Sequence, residues 1–323
     1  MKKISLIGNT PMIKIYYEFK GKKNYIYVKL EYYNLTGSIK DRAAEYIIKK
    51  AKENGELKEK MPIVEATSGN MGISLAALGT YYNHPVYIFM PDWASTERKK
   101  LMKLYGANVK LISKEEGGFI RCLEEAEKTS KKKNAFLVNQ FANKYNTEAH
   151  YKTTGKEILE QIKEDIGGFV SGVGTGGTIT GIGKRLKEKN QNTKIVAIEP
   201  DKMQLLSNGK IKEQHKIEGI ADDFIPKIIS KNENIIDKII LVNDEDAINM
   251  SRILSKKLGL GVGISSGANL IGSIILQEKI KKPVVTIFAD DNKKYLSTEL
   301  SKEIDKNNTF ISNNIKILSF KNE

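Results

Sequence analysis

Short apolar runs separated by helical patterns recur along most of this 323-residue chain. Tyr25 to Leu30, Ile63 to Glu65, Val86 to Met90, Val109 to Ile112, Phe136 to Asn139, Phe169 to Gly172, Ile195 to Ile198, Ile239 to Val242 and Val284 to Phe288 read as strands. Amphipathic stretches such as Ala43 to Ala51 and Ile179 to Lys187 stand between them. Parallel strands need crossovers of helical length, so the alternation predicts α/β units around mostly parallel, twisted sheets. The length and a hydrophobic content of 40% allow a large core and favour two domains. Lys114 to Lys133 predicts a solvated helix, and the Asn- and Lys-rich tail after Leu300 carries little information.

No run approaches the roughly 18 apolar residues of a membrane span. The opening Met1-Lys2-Lys3-Ile4-Ser5-Leu6-Ile7-Gly8 begins with charge, but its apolar stretch breaks too early for a signal peptide, so a cytoplasmic location is expected. Cys122 is the single cysteine, which excludes an intrachain disulfide and a cysteine-based zinc site. Its neighbours Arg121, Leu123 and Glu124 read as the body of a helix, where a packed thiol is expected in place of a nucleophile. His84, His150 and His215 are scattered without ligand spacing, and no metal site is expected. The formal charge of +14 raises nucleic acid as a partner. The basic residues are overwhelmingly Lys, interleaved with Glu as in Lys49-Lys50-Ala51-Lys52-Glu53, whereas base readout favours Arg in a concentrated patch. Neither nucleic acid nor membrane is expected as a partner, although a positive field can steer an anionic small molecule.

Chemistry concentrates in the turns. Lys40 lies in Asn34-Leu35-Thr36-Gly37-Ser38-Ile39-Lys40-Asp41-Arg42, after a strand-like run and before a helical pattern. A lysine fixed at such a turn can be held against an aldehyde, as covalent amine catalysis requires, and is a candidate Schiff-base lysine. Thr67-Ser68-Gly69-Asn70 also lies between strand and helix signals, where its amides and hydroxyls suit a carboxylate-sized anion or a plain helix cap. Gly172-x-Gly174-x-x-Gly177 follows a strand and opens a helix, with Glu199 ending a later strand. Alone, this matches a dinucleotide fingerprint and a nicotinamide or flavin oxidoreductase. Two features lower that reading: the motif comes halfway along the chain, and it continues as Thr175-Gly176-Gly177-Thr178, suited to one phosphate monoester. A Walker-type loop fails because no Gly-Lys-Ser/Thr follows.

These three motifs, followed by Gly263-Ile264-Ser265-Ser266-Gly267, occur in this order over most of the chain. With Asn9-Thr10-Pro11, Gln140-Phe141, His150-Tyr151, Glu218-Gly219-Ile220 and Tyr295-Leu296-Ser297-Thr298, they resemble the pyridoxal-phosphate (PLP) β-family. This fold-type-II group contains cysteine synthase and cystathionine β-synthase, and the resemblance spans roughly residues 5 to 300. It implies two α/β domains with PLP in the cleft between them: a smaller, substrate-closing domain at 41–145 and a larger domain from 1–40 plus 146–323. A homodimer acting on a small amino-acid substrate is expected.

The resemblance also implies roles. Lys40 holds PLP and then removes the α-proton. Gly174, Thr175, Gly176, Gly177 and Thr178 hold its phosphate, Asn70 touches its 3′-oxygen, and Ser265 hydrogen-bonds its pyridine nitrogen. Thr67, Ser68 and Asn70 bind the substrate α-carboxylate with help from Gln140. A serine at 265, where other PLP enzymes use a carboxylate, leaves the pyridine nitrogen largely unprotonated and favours loss of a β-substituent over transamination. The implied reaction is β-replacement through an α-aminoacrylate.

Two departures bear on the substrate. Met71 stands where cysteine synthases usually carry Thr, and a Met there is seen in β-cyanoalanine synthases, which take cysteine as donor; it is a candidate substrate contact. Asp222 and Asp223 occupy a loop that is small in ordinary cysteine synthases, while cystathionine β-synthases carry an acid at the second position. Water must lose a proton to attack, so an acid here, with Asp223 preferred, suits reactions that make or use serine. The expected reaction is therefore L-cysteine plus water to L-serine plus hydrogen sulfide, or condensation of cysteine or serine with a thiol. Cysteine synthesis from O-acetylserine and sulfide is the alternative, and a dinucleotide oxidoreductase the remote one.

Overall fold

The computed structural model describes residues 4–302 and 310–323. Its strands in chain order are β1 (Met12–Phe19), β2 (Lys22–Leu30), β3 (Ile63–Ala66), β4 (Val86–Pro91), β5 (Asn108–Ile112), β6 (Phe136–Leu137), β7 (Gly168–Gly172), β8 (Lys194–Pro200), β9 (Met203–Gln204), β10 (Lys210–Ile211), β11 (Lys238–Val242), β12 (Val284–Phe288) and β13 (Ile315–Asn322). The helices are α1 (Lys40–Glu53), α2 (Asn70–Tyr81), α3 (Thr96–Leu104), α4 (Gly118–Lys133), α5 (Lys144–Lys152), α6 (Thr154–Gln161), α7 (Gly177–Lys189), α8 (Leu205–Asn208), α9 (Lys227–Ser230), α10 (Asp244–Leu258) and α11 (Ile264–Ile280).

Two sheets carry the fold. A seven-stranded sheet runs β11-β8-β7-β12-β2-β1-β13, and a four-stranded sheet runs β5-β4-β3-β6. All pairings in the smaller sheet are parallel, and in the larger one only β1 runs antiparallel to its neighbours β2 and β13. The β1–β2 hairpin closes through Lys20 and Gly21, both at positive φ, the conformation of a two-residue turn matched to strand twist. Along β2, Ile26 and Val28 enter one hydrophobic cluster with α10 and α11, while Tyr27 joins another with α6 and α7. The larger sheet is thus covered on both faces, as a parallel sheet requires. A third cluster fills the smaller sheet with Ala43, Ile47, Leu75, Met90 and Met102.

A buried polar knot ties the start of the chain to α1 and α6. Arg42 Nε donates to Glu31 Oε2 at 2.6 Å and its Nη1 to Glu157 Oε1 at 2.7 Å, while Lys29 Nζ lies 2.9 Å from Glu157 Oε2. Burial opposes the Glu157 charge, yet Arg42 and Lys29 overcome it and hold the carboxyl down to about 2. The helix expected over 114–133 begins at Gly118; Cys122 is buried in it, with burial pushing its thiol up to about 12. Among the described residues no helix is long and apolar enough to cross a membrane, and no cluster of His, Cys, Asp or Glu could hold a metal ion.

Candidate active site

Three strand-to-helix turns open on one cavity at the carboxyl ends of the strands, where open α/β sheets place ligands. Lys40 is the first residue of α1. Its turn is pinned from every side. Gly37 adopts φ +78°, and a Cβ there would sit 2.3 Å from Asp291 Oδ2. Lys294 Nζ donates to Gly37 O at 2.6 Å, Ile39 N to Ala289 O at 2.9 Å, and Thr36 Oγ1 to Asp41 Oδ1 at 2.6 Å. Lys40 itself is half-buried. Burial lowers its pKa from the usual lysine value, against the opposing charges of Asp290 and Asp222.

The second turn joins β7 to α7. Gly176 takes φ +84°, and a Cβ on Gly177 would meet Asn146 Oδ1 at 2.1 Å, so backbone alone fits there. Thr175 Oγ1 accepts from Asn146 Nδ2 at 2.9 Å and from Gly177 N at 3.3 Å. Gly174, Thr175, Gly176 and Thr178 line the cavity, with Gly177 buried behind them at the start of α7. Thr178 Oγ1 lies 3.3 Å from His150 Nε2, and His150 Nδ1 lies 3.0 Å from Thr154 Oγ1. Burial, with Lys40 and Arg42 nearby, depresses the His150 pKa far below the ordinary imidazole value and keeps it neutral.

The third turn joins β3 to α2. Thr67 is buried, and its Oγ1 accepts from Gly69 N at 3.1 Å; Ser68 faces a wider outer cleft of about 660 Å³. Asn70 opens α2 and donates from Nδ2 to Asp290 Oδ2 at 2.6 Å, which leaves its buried Oδ1 without a partner among the described residues. Gln140 is 3% exposed and stands behind this loop, its Nε2 donating to Ala66 O at 3.0 Å and its N to Glu65 Oε2 at 3.0 Å. Burial pushes the Glu65 carboxyl up to about 8, despite those backbone donors. The sequence reading set Met71 beside the substrate; its side chain is 1% exposed and lies in the cluster with Ile73, Leu75 and Met102.

Ser265 sits in the first turn of α11, is 6% exposed and lines the same cavity as Lys40. The acid pair divides. Asp222 is half-buried, and burial together with Asp223 raises its carboxyl to about 6 against the pull of Lys40. Both line the outer cleft, where Asp223 is exposed. Their loop is held by His215, whose Nδ1 accepts from Ile217 N at 3.2 Å; the proton is therefore on Nε2, which donates to Ala221 O at 2.9 Å. Glu199 accepts from Leu206 N at 2.6 Å and Ser207 N at 3.2 Å, so its carboxylate caps α8.

Several residues had no role in the sequence reading. Asp290 and Tyr295 line the inner cavity, and Tyr295 OH donates to Asp290 Oδ2 at 2.6 Å. Arg98 from α3 is 1% exposed, pairs with Glu218 and lies 4.5 Å over the Tyr295 ring. Asp290 had a signal: an acid just past the carboxyl end of a parallel strand lies where open sheets build sites. Arg98 had none, since nothing distinguishes it from the lysines of the same helix.

The cavity with its lysine, glycine-rich cradle and helix N-termini coincides with what known sequences show. Residues 4–290 match the model of the family described as pyridoxal-phosphate dependent enzyme. The chain belongs to that family. It is 42% identical over 296 residues to cysteine synthase B of Campylobacter jejuni, covering 91% of this chain and 96% of that protein. A solved hydrogen sulfide-producing enzyme from Fusobacterium nucleatum is 48% identical, with a TM-score of 0.93 and coverage of 98% of this chain and 97% of that one. A lysine-dimethylated Asp-to-Asn variant of a hydrogen sulfide-producing enzyme, in complex with an α-aminoacrylate intermediate, is 49% identical, with a TM-score of 0.94 and coverage of 97% and 95%. This family member is a PLP-dependent enzyme of cysteine metabolism, of the fold-type-II class and the cysteine synthase-like β-replacement group.

Proposed function

We propose that this enzyme converts L-cysteine and water to L-serine and hydrogen sulfide. The observation that carries the reading is the half-buried Asp222, which lines the outer cleft beside the Lys40 cavity, near enough for its charge to act on Lys40, with its carboxyl raised to about 6. A base in that range is ionised at neutral pH and can take a proton from water. Sulfide needs no such help as a nucleophile.

The residues present fit PLP. The cradle from Gly174 to Thr178 is bare backbone and hydroxyl at a helix N-terminus, where a Cβ on Gly174 would meet Gly219 O at 2.5 Å and one on Gly177 would meet Asn146. It suits the phosphate. The orphaned Oδ1 of Asn70 and the buried Ser265 hydroxyl lie on the same cavity wall as Lys40. When bound, PLP supplies the electron sink that makes the α-proton acidic. Lys40 takes that proton from Cα as its C–H bond breaks, and passes one to the departing sulfide as the C–S bond breaks. Asp222 takes a proton from the water whose oxygen forms the new C–O bond, and a proton returns through Lys40 to Cα, restoring the C–H bond of serine. Thr67, Ser68 and Asn70 hold the substrate carboxylate, with Gln140 and Glu65 fixing the loop from behind. Met71 acts through packing beneath that loop.

The likeness to the Fusobacterium nucleatum enzymes, one of them an Asp-to-Asn variant, supports this version. The 42% identity to a cysteine synthase supports the second, in which O-acetylserine and sulfide give cysteine; condensation with a thiol is a third use of the same residues. Product analysis decides among them, with cysteine alone, cysteine plus a thiol, serine plus sulfide, and O-acetylserine plus sulfide supplied separately. Fast release of sulfide and serine from cysteine is expected. If cysteine forms from O-acetylserine far faster than sulfide leaves cysteine, the enzyme is a cysteine synthase. We further propose a homodimer, with the four-stranded sheet and its helices closing on the substrate as a smaller domain.

A further inference from the structure

The segment after β12 runs back along the Lys40 turn. Ser38 and Asp290 form an isolated antiparallel bridge, next to the hydrogen bond from Ile39 N to Ala289 O. That register puts Asp290 in the wall of the cavity that holds Lys40. The carboxylate is 1% exposed. Its Oδ2 accepts from Asn70 Nδ2 and from Tyr295 OH, both at 2.6 Å. Its Oδ1 is buried without a hydrogen-bond partner among the described residues, and lies over Gly263, where a Cβ would fall 2.0 Å from it.

A buried carboxylate with an open lone pair is unfavourable unless a cation faces it. The charged and titratable groups that act on Asp290 are Lys40 from α1, Arg98 from α3, and Asp291, Lys294 and Tyr295 from the turn that follows it. Arg98 is committed to Glu218 and to the face of Tyr295, and Lys294 to Gly37 O and Asp291. Lys40 is the cation whose charge changes during turnover. We propose that Asp290 is a positioning residue for the Lys40 nitrogen, its carboxylate, in the wall of the same cavity, stabilising the positive charge that nitrogen would carry on the cofactor and again once it has taken the α-proton. In that transfer the C–H bond breaks, an N–H bond forms on the neutral amine, and the electron pair stays on the substrate. Asp290 moves no proton itself; it favours the charged lysine. Asn70, held by the same carboxylate, is oriented with it.

The proposal rests on Lys40 being the cofactor-bearing lysine, and the experiment separates the two. In the cofactor-loaded protein, the visible absorption band reports protonation of the nitrogen that joins Lys40 to PLP, and its pH midpoint is measured in the parent, Asp290→Asn and Tyr295→Phe. Loss of the carboxylate charge should lower the midpoint by about one pH unit or more, the scale of one nearby opposite charge. Tyr295→Phe withdraws a donor but keeps the charge, so its midpoint should stay or rise. An Asp290→Asn midpoint equal to the parent's overturns the proposal, as does a Tyr295→Phe midpoint that falls as far as that of Asp290→Asn. Should thermal unfolding show Asp290→Asn to be misfolded, a Tyr295→Phe midpoint at or above the parent's supports the proposal and one below it overturns it. A Lys40→Ala protein whose cofactor borohydride still fixes covalently overturns the Lys40 reading and this proposal with it.

Discussion

At single residues, the difference between Asp222 and Asp223 is a difference of environment. They are chemically identical neighbours lining the same outer cleft, yet Asp222 is half-buried with its charge coupled to Lys40, while Asp223 is exposed. The sequence could mark the pair as unusual but could not orient it, because the direction of each side chain depends on Ala221 adopting φ +51° under the grip of His215. Asp222→Asn should lower serine formation from cysteine by roughly 100-fold, the scale of one general base, while Asp223→Asn leaves it near the parent rate. Equal losses in both variants would remove the distinction. The parent's rate should also fall as pH drops through about 6, since the base works only when ionised. Lys40→Ala should abolish turnover while PLP still binds noncovalently through Gly174 to Thr178, which a PLP titration with and without borohydride checks; normal turnover by that variant would remove Lys40 from the mechanism.

Elements show which parts of the fold a sequence can announce. The turns around Lys40, Thr67 and Gly174 were legible because each joins a strand pattern to a helix pattern and needs glycine where backbone must pass close. Gly177→Ala pushes a methyl into Asn146 and should weaken PLP affinity by about tenfold or more, read by titration of the visible band, if the clash costs at least about 1.4 kcal/mol. Strands β1 and β13 were not legible. β1 mixes Lys, Tyr and Glu with Ile, β13 mixes Lys, Ser and Asn with Ile, and β13 is an edge strand with one buried row, so tertiary pairing with β1 decides it more than its own pattern. The knot between β2, α1 and α6 was equally silent, since the partners of Arg42 are 11 and 115 residues away. It carries a pH signature. The folded Glu157 value of about 2 lies below its ordinary 4.5, so its contribution is fully present above 4.5 and lost as pH falls through about 2. The shift corresponds to a contribution on the order of 3 kcal/mol. Urea unfolding of the parent should weaken across that window, and Arg42→Met should flatten this dependence while lowering stability at neutral pH.

Across the whole molecule, the parts built on the two sheets meet through apolar contacts such as Phe224 on Phe119 and Phe141, and through polar ties over the cleft from loops that touch the cavity. Ser95 Oγ donates to Lys294 O at 2.7 Å, Asn70 reaches Asp290, and Arg98 reaches Glu218 and the Tyr295 ring. These ties were not legible beforehand, because they join helices of the smaller sheet to turns 120 to 220 residues later. Their position means that whatever binds at Thr67 to Asn70 acts on the interface as well as on the site. Gly69 lies directly on the Arg98 side chain, where a Cβ would come within 2.3 Å of Arg98 Cδ, so that turn and α3 are in direct packing contact. Substrate capture should therefore draw the smaller sheet and its helices onto the larger one, excluding water other than the reacting molecule. Hydrogen exchange on the PLP-loaded protein should slow at residues 67–70 and 95–99 when an unreactive amino acid is added, and a Glu218→Gln variant, which loosens the Arg98 tie, should show less of that protection and a higher KM. An amino-acid complex whose carboxylate lies away from Thr67 to Asn70, with exchange at both segments unchanged, would sink the closure mechanism.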